Sequence, residues 1–302
     1  MKKTKYSLKQ WLNAFRLWSL TASAIPVCLG AAMGAVDGAW STPLFLLSLL
    51  GGFLLQVGTN LSNTYGDFIS GVDTVESSAN VPHIVHGQME AEDIHRAGLI
   101  AFGLAGVVTL VLMLLCGPIL GLFGFVGILG GYLYTNKLPY KYYAVGPVMV
   151  AILMGPLMVL PAYYIQTGCF AMAPFLASMS IACLVSNIMH ANDMRDIPHD
   201  RNANIRTVAM LLGLPGSAAL YAMLASSAFA FALLNILSGV LPWSALVVFV
   251  LLPKLGRELS AMFAGGYDYV PLEGWSGKFH MAFGALLSLG VVLHMLTALV
   301  LE

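Results

Sequence analysis

Long apolar runs separated by brief polar interruptions set the pattern of this chain. Runs of about 20 residues, the length a helix needs to cross roughly 30 Å of hydrocarbon, fall at 17–36, 43–66, 97–116, 118–136, 145–166, 170–191, 215–238, 240–256 and 278–300. The pattern predicts an all-α integral membrane protein of nine transmembrane helices, with residues 1–302 forming a single domain. Gly117-Pro118, Thr167-Gly168 and Ser238-Gly239 separate neighbouring runs tightly, whereas longer polar stretches follow the second, fourth, sixth and eighth. The basic segment before the first run resembles the start of a secretion signal. That run is as long as a bilayer span, lacks a small-residue cleavage site and is followed by further spans, so it reads as the first helix.

Composition removes the soluble alternatives. Of 302 residues, 59% are hydrophobic and 9% are charged, whereas soluble domains carry about 25% charge. With 14 basic and 14 acidic side chains the net charge is zero, so there is no general electrostatic footprint for nucleic acid. Cys28, Cys116, Cys169 and Cys183 lie in apolar runs without C-x-x-C spacing and read as small buried hydrophobes.

Charge placement orients the bundle. All 14 lysines and arginines lie before the first run or in and beside the even-numbered connections. Basic residues collect on the cytoplasmic side, which puts the N-terminus inside and the C-terminus outside. Among the acids only Asp37 and Glu302 fall on the outer side. The positive-inside bias does not act on acids, so their gathering on the cytoplasmic face needs another cause.

Two motifs supply it. The second run ends in Asn60-Leu-Ser-Asn63-Thr-Tyr-Gly-Asp67-Phe-Ile-Ser-Gly71-Val-Asp73, and the sixth ends in Asn192-Asp193-Met-Arg195-Asp196-Ile-Pro-His-Asp200. Asn63 with Asp67, and Asn192 with Asp196, are four apart and stack on one helix face. Asp73 and Asp200 add a further carboxylate to each. Two such clusters facing one another would form an all-oxygen cage for a hard cation. Mg²⁺ is characteristically held by a few carboxylates and shared with substrate phosphates. Single acids at helix ends usually sit in water beside the headgroups; two matched motifs at one membrane face point to function. Cations for a phosphate lie nearby: Arg195 inside the second motif, and Lys137 and Lys141 in the connection that starts at Tyr134. The positive-inside bias alone would also account for Lys137, Lys141, Arg201 and Arg206, and Tyr65 and Tyr134 would equally suit an interfacial aromatic belt.

The run from Asn63 and Asp67 through Gly71 to Asp73, the later set Asp193, Arg195, Asp196 and Asp200, and Arg206-Thr-Val-Ala209 together resemble the UbiA superfamily of membrane prenyltransferases. Within it the pattern is most similar to the 1,4-dihydroxy-2-naphthoate polyprenyltransferase branch, because the first motif ends in Gly71-Val-Asp73 rather than R-D-x-D. The likeness extends from Arg16 through Gly155–Gly168 to the last helix. Departures lie at Asn136-Lys137, at Pro147 and at His83 and His86; Pro198 is expected to break the helical face between Asp196 and Asp200.

The resemblance implies a UbiA-type bundle in the inner (plasma) membrane with its active site on the cytoplasmic side. It implies transfer of a polyprenyl group from an isoprenoid diphosphate to an aromatic acceptor, 1,4-dihydroxy-2-naphthoate with loss of its carboxylate as CO₂, on the way to menaquinone. The implied cofactor is Mg²⁺ on Asn63, Asp67, Asp196 and Asp200, with Asp73 and Asp193 completing the rim. Arg195, Lys137, Lys141, Tyr134, Asn63 and Asn192 would face the diphosphate, and Asp73 is open to the role of base or of metal ligand. Other acceptors on the same fold, 4-hydroxybenzoate or haem among them, and a cation-coupled transporter remain as alternatives. The stretch 253–278, with Tyr267, Asp268, Tyr269, Glu273, Trp275 and Lys278, reads as an interfacial connection, a lid or an acceptor contact.

Overall fold

The structure is a computed structural model and describes residues 5–74, 83–137, 139–202 and 205–301. Every regular element among them is helical. A short α1 (Leu8–Ala14) leads through a 3₁₀ turn (Leu17–Leu20) into α2 (Thr21–Val36), followed by α3 (Thr42–Ile69), α4 (Ala91–Cys116) and α5 (Ile119–Leu133). After a second 3₁₀ turn (Tyr140–Tyr142) come α6 (Gly146–Met154), α7 (Pro156–Thr167), α8 (Met172–Asn202) and α9 (Val208–Leu237). A 3₁₀ stretch (Trp243–Leu251) runs into α10 (Leu252–Phe263), and α11 (Leu272–Leu301) closes the bundle.

Among the described residues seven segments are long and apolar enough to cross a bilayer: Leu17–Val36, Thr42–Ile69, Ala91–Cys116, Gly146–Thr167, Met172–Arg201, Val208–Leu237 and Leu272–Leu296. Two expected spans take other forms. The run 118–136 gives a helix of 15 residues, because the chain leaves it at Tyr134 and Lys137 turns left-handed at φ 56°. The run 240–256 divides into 3₁₀ and α segments; Pro242 and Pro253 each lack the N–H that would continue a ladder.

Helix packing relies on close backbone approach. α2 packs against α7 and α11, α3 against α4, and α8 against α9. A Cβ on Gly30 of α2 would strike the Val159 carbonyl of α7, so only glycine lets these helices approach so closely. The main core joins Leu29, Ile181, Phe229, Phe279 and Phe283 from α2, α8, α9 and α11. α4 instead turns Leu104, Val107, Leu114 and Leu115 outward, with Leu114 79% exposed. Apolar stripes of this kind suit lipid rather than water.

α8 carries the expected correction. It continues as a helix through Pro198 to Asn202, although Pro198 has no N–H to give the Met194 carbonyl. Asp193, Asp196 and Asp200 therefore stay on one face, at i, i+3 and i+7, and all three line the same cavity.

Candidate active site

The C-terminal ends of α3 and α8 meet at a polar cavity of about 640 Å³, within the usual range for small-molecule sites. Asp67 and Asp73 enter from the first motif; Asp193, Asp196 and Asp200 enter from the second. The cations Arg16, Lys141, Arg195 and Lys278 share the wall, as does Glu273 at the start of α11. Six acids against four cations leave the wall two charges negative when all are ionised. An anionic ligand alone would meet net repulsion there. Burial and the neighbouring Asp67 raise the carboxyl of Asp73 above its ordinary range.

Asp67 is buried and fully engaged. Its Oδ2 accepts from Asn63 Nδ2 at 2.7 Å and Lys141 Nζ at 2.7 Å, while Oδ1 accepts from the Tyr142 hydroxyl at 2.5 Å. The 3₁₀ turn at Tyr140–Tyr142 brings both of these donors down onto α3. Burial works against charge on Lys141, but the Asp67 carboxylate outweighs it and holds the ammonium above its usual value. Burial, then Asp67, raises the Tyr142 phenol, which therefore remains a donor.

In the second motif Arg195 grips Asp196 with two parallel bonds, Nε to Oδ1 and Nη2 to Oδ2, each 2.7 Å. Its Nη1 pairs with Glu273, and Asn192 Nδ2 donates to the same Glu273 oxygen at 3.3 Å. Asp193 is 2% exposed, and its Oδ2 has no hydrogen-bond partner among the described residues.

A second cavity of about 220 Å³, lined largely by apolar residues and by fewer charged ones, adjoins the first. The two share Arg16, Asn63, Lys141, Asn192 and Glu273 in their walls. From there it descends along α3, α5 and α7, past Leu55, Phe123 and Met158. Tyr134 lines it and gives its hydroxyl to the Met189 sulfur at 2.8 Å.

Asn63, Asp67, Asp73, Lys141, Asn192, Asp193, Arg195, Asp196 and Asp200 are thus gathered around one cavity, with Tyr134 in the adjoining one. Lys137 is not. It lies exposed in its left-handed turn and lines neither cavity; the place is taken by Lys141, one turn further along. The Asn63 amide oxygen, expected on a cation, accepts from Arg16 Nη1 at 3.0 Å. Sequence reasoning missed Arg16 and Tyr142, and placed Glu273 and Lys278 only within a stretch open to an interfacial connection, a lid or an acceptor contact. Arg16 was hidden by the positive-inside bias, and Tyr142 adjoins a residue already chosen. Glu273 and Lys278 reach the cavity because α11 packs on α8. The stretch 253–278 is accordingly mostly helical, and its end forms cavity wall.

The donors suit Mg²⁺ chemically: oxygen only, divided between two helix ends, with one buried carboxylate oxygen unpartnered. Among the described residues no three acids, histidines or cysteines stand close enough to hold a metal by themselves. This agrees with an ion held by one or two carboxylates that draws its remaining ligands from water and phosphate.

Comparison with known proteins decides the family. Residues 23–258 match the UbiA prenyltransferase family. The chain belongs to that family. Its relatives include the 1,4-dihydroxy-2-naphthoate octaprenyltransferase of Bacillus subtilis, 32% identical over 91% of this chain and 89% of that protein. The mouse UbiA prenyltransferase domain-containing protein 1 is 34% identical over 72% of this chain. There the match spans 65% of the mouse protein, just under two thirds of its length. In fold the UbiA member resembles an Aeropyrum pernix K1 homolog, with a TM-score of 0.69 and 13% identity over 91% of this chain and 98% of that one. It also resembles an Archaeoglobus fulgidus homolog bound to GPP and Mg²⁺, with a TM-score of 0.63 and 16% identity over 94% and 99%.

Proposed function

We propose that this UbiA family member transfers a polyprenyl group from an isoprenoid diphosphate to 1,4-dihydroxy-2-naphthoate with loss of CO₂, as a step of menaquinone biosynthesis. The observation that carries the acceptor is the near-complete coverage of both chains in the match to the Bacillus subtilis naphthoate octaprenyltransferase. The adjoining polar and apolar cavities support the reaction class, since a prenyl diphosphate has one charged end and one apolar end.

In this reading the diphosphate lies in the polar cavity on Arg195, Lys141 and Arg16, and one or two carboxylates drawn from Asp67, Asp196 and Asp200, with Asp193 beside them, would hold Mg²⁺ together with water and phosphate. When bound, such an ion would supply positive charge for the diphosphate leaving group. Arg16, Lys141 and Arg195 supply fixed donors for the same developing charge, at no cost in reorganisation. The apolar cavity takes the tail and keeps water from the allylic carbon through Leu55, Phe123 and Met158. The bond from that carbon to the diphosphate oxygen breaks and the ring carbon bearing the carboxylate takes the prenyl group. CO₂ then leaves from that carbon. Asp73, in the wall of the polar cavity, is the carboxylate we assign to removal of an acceptor hydroxyl proton.

The reading includes residues 1–302 as one domain of nine spans in the plasma membrane, with α5 and the segment Trp243–Phe263 supplying the two that fall outside the seven long ones. Its N-terminus is cytoplasmic, its C-terminus outside, and its cavity faces the cytoplasm. The placement of all 14 basic residues supports that orientation. Membranes containing the protein are expected to convert 1,4-dihydroxy-2-naphthoate and a polyprenyl diphosphate to a prenylated naphthoquinol, CO₂ and diphosphate. Product from 4-hydroxybenzoate alone would move the protein to another acceptor.

A further inference from the structure

Each acidic motif pairs one of its carboxylates with a cation of the same cavity. Lys141 and Asp67 are 2.7 Å apart with side chains 14% and 5% exposed. Arg195 and Asp196 are joined by two bonds and are 13% and 25% exposed. Both pairs are complete within the protein, because Asp67 also has Asn63 and Tyr142, and Arg195 also has Glu273. The same four side chains are the ones a diphosphate and a divalent cation would need: phosphate oxygens seek Lys141 and Arg195, and a hard cation seeks Asp67 and Asp196.

Neither ligand can take its share alone without loss. A diphosphate that draws Lys141 and Arg195 away leaves the buried Asp67 and the partly buried Asp196 without their cations, beside a new anion. A divalent cation that draws Asp67 and Asp196 away leaves the largely buried Lys141 without its carboxylate and Arg195 with Glu273 alone, beside a new cation. Removing one partner of a buried pair is costly, because the charge left behind is uncompensated. When both ligands arrive, each carboxylate exchanges its side-chain cation for the divalent ion and each side-chain cation exchanges its carboxylate for phosphate. No charge is then left unpaired.

We propose that Lys141–Asp67 and Arg195–Asp196 are exchange pairs that make a divalent cation and a diphosphate bind to this site cooperatively, each poorly without the other. The proposal rests on the prenyl-diphosphate reading above. Thermodynamic linkage makes the effect reciprocal, and a coupling of this kind is typically five- to 150-fold. Two side chains in the same wall provide controls: among the described residues Lys278 and Asp200 line the cavity but form no ion pair within 4.0 Å.

The test uses the full-length protein in detergent, with Mn²⁺ followed by electron paramagnetic resonance and inorganic diphosphate followed by calorimetry. Without diphosphate, Lys141→Met is expected to bind Mn²⁺ about tenfold more tightly than wild type, since Asp67 is released. Lys278→Met removes the same charge without releasing an acid and is expected to change affinity less than about threefold. Without metal, Asp196→Asn is expected to bind inorganic diphosphate about tenfold more tightly, with Asp200→Asn showing the smaller shift. Equal shifts in paired and control variants would reduce the effect to general electrostatics and overturn the exchange; so would no shift in any. If Lys141→Met fails to fold, the Asp196 and Asp200 comparison decides. Prenyl transfer by the wild-type protein is measured in parallel. Activity with equal shifts sinks the exchange alone, whereas unequal shifts without activity on any acceptor sink the functional reading.

Discussion

Arg16 donates from Nη1 to Asn63 Oδ1 at 3.0 Å and from Nη2 to Thr64 Oγ1 at 3.2 Å. One guanidinium thus ties the entry to the first span to the first acidic motif, 47 residues away in sequence. Around it, Asn60 Nδ2 donates to the Phe15 carbonyl at 2.9 Å and to the Ser19 hydroxyl at 2.8 Å. Arg16 itself sits at φ 52°, a left-handed conformation that a non-glycine residue adopts at some cost. The surroundings hold it there, on the wall common to both cavities.

Arg16→Lys keeps the charge and the backbone strain but loses the fork that spans Asn63 and Thr64. Loss of one charge-assisted bond, worth roughly 1.5–3 kcal/mol, corresponds to about ten- to a hundredfold. Prenyl transfer is expected to fall by that factor in kcat/KM, chiefly through KM for the diphosphate. Steady-state kinetics in matched membranes would count against a role for Arg16 if the lysine variant equalled wild type.

Asp67→Asn and Asp196→Asn should each lower turnover by about two to four orders of magnitude while the protein remains folded, because each replaces an anionic ligand with a neutral amide of the same shape. Asp37→Asn is the contrast. Asp37 lies at the opposite end of the bundle, where it accepts from the Tyr163 hydroxyl at 2.5 Å. An amide oxygen retains that bond, so near-normal activity is expected there. Comparable losses in all three would mean that the substitutions act on folding.

The helices were legible because a bilayer imposes a length and an apolar composition that any span must display, and the acid motifs because carboxylates at that depth need a reason. Asp67 with Asn63, and Asp196 with Asn192, follow from helix periodicity alone. The role of Glu273 in the stretch 253–278 was not legible for the opposite reason: nothing local marks an acid in a helical first turn, and its pairing with Arg195 arises only from the packing of α11 on α8. Lys137 and Lys141 are equivalent in composition. The 3₁₀ turn at Tyr140–Tyr142 separates them by aiming Lys141 at Asp67, a matter of backbone geometry that residue type does not encode. Pro198 misled in a similar way, since near its end a helix forgoes one bond without losing its face.

Glycine positions give a stability contrast independent of chemistry. A Cβ at Gly30 would collide with the Val159 carbonyl, which is backbone and cannot rotate aside. At Gly103, in α4, it would meet nothing within 4 Å. Gly30→Ala is expected to destabilise by about 1–3 kcal/mol through forced separation of α2 and α7. Gly103→Ala is expected to be neutral or stabilising by about 0.5–1 kcal/mol. Thermal unfolding in detergent distinguishes them, and an unchanged midpoint for Gly30→Ala would show that the interface relaxes freely.

Metal removal bears on the cavity as a whole. Its wall carries six acids and four cations, a surplus that, with all of them ionised, disfavours a diphosphate until positive charge is added. All the acids there offer oxygen, and the cysteines Cys28, Cys116, Cys169 and Cys183 line neither cavity. Hard cations are therefore favoured over thiophilic ones. Turnover is expected to cease in excess EDTA and to return with Mg²⁺ or Mn²⁺. Ca²⁺ is expected to restore it poorly, because it prefers longer bonds and more ligands than two split carboxylate sets and a diphosphate present. Initial rates against each metal, after exhaustive chelation of protein and substrate, make the measurement. Undiminished turnover in EDTA would mean that Arg16, Lys141 and Arg195 carry the whole charge of the leaving group.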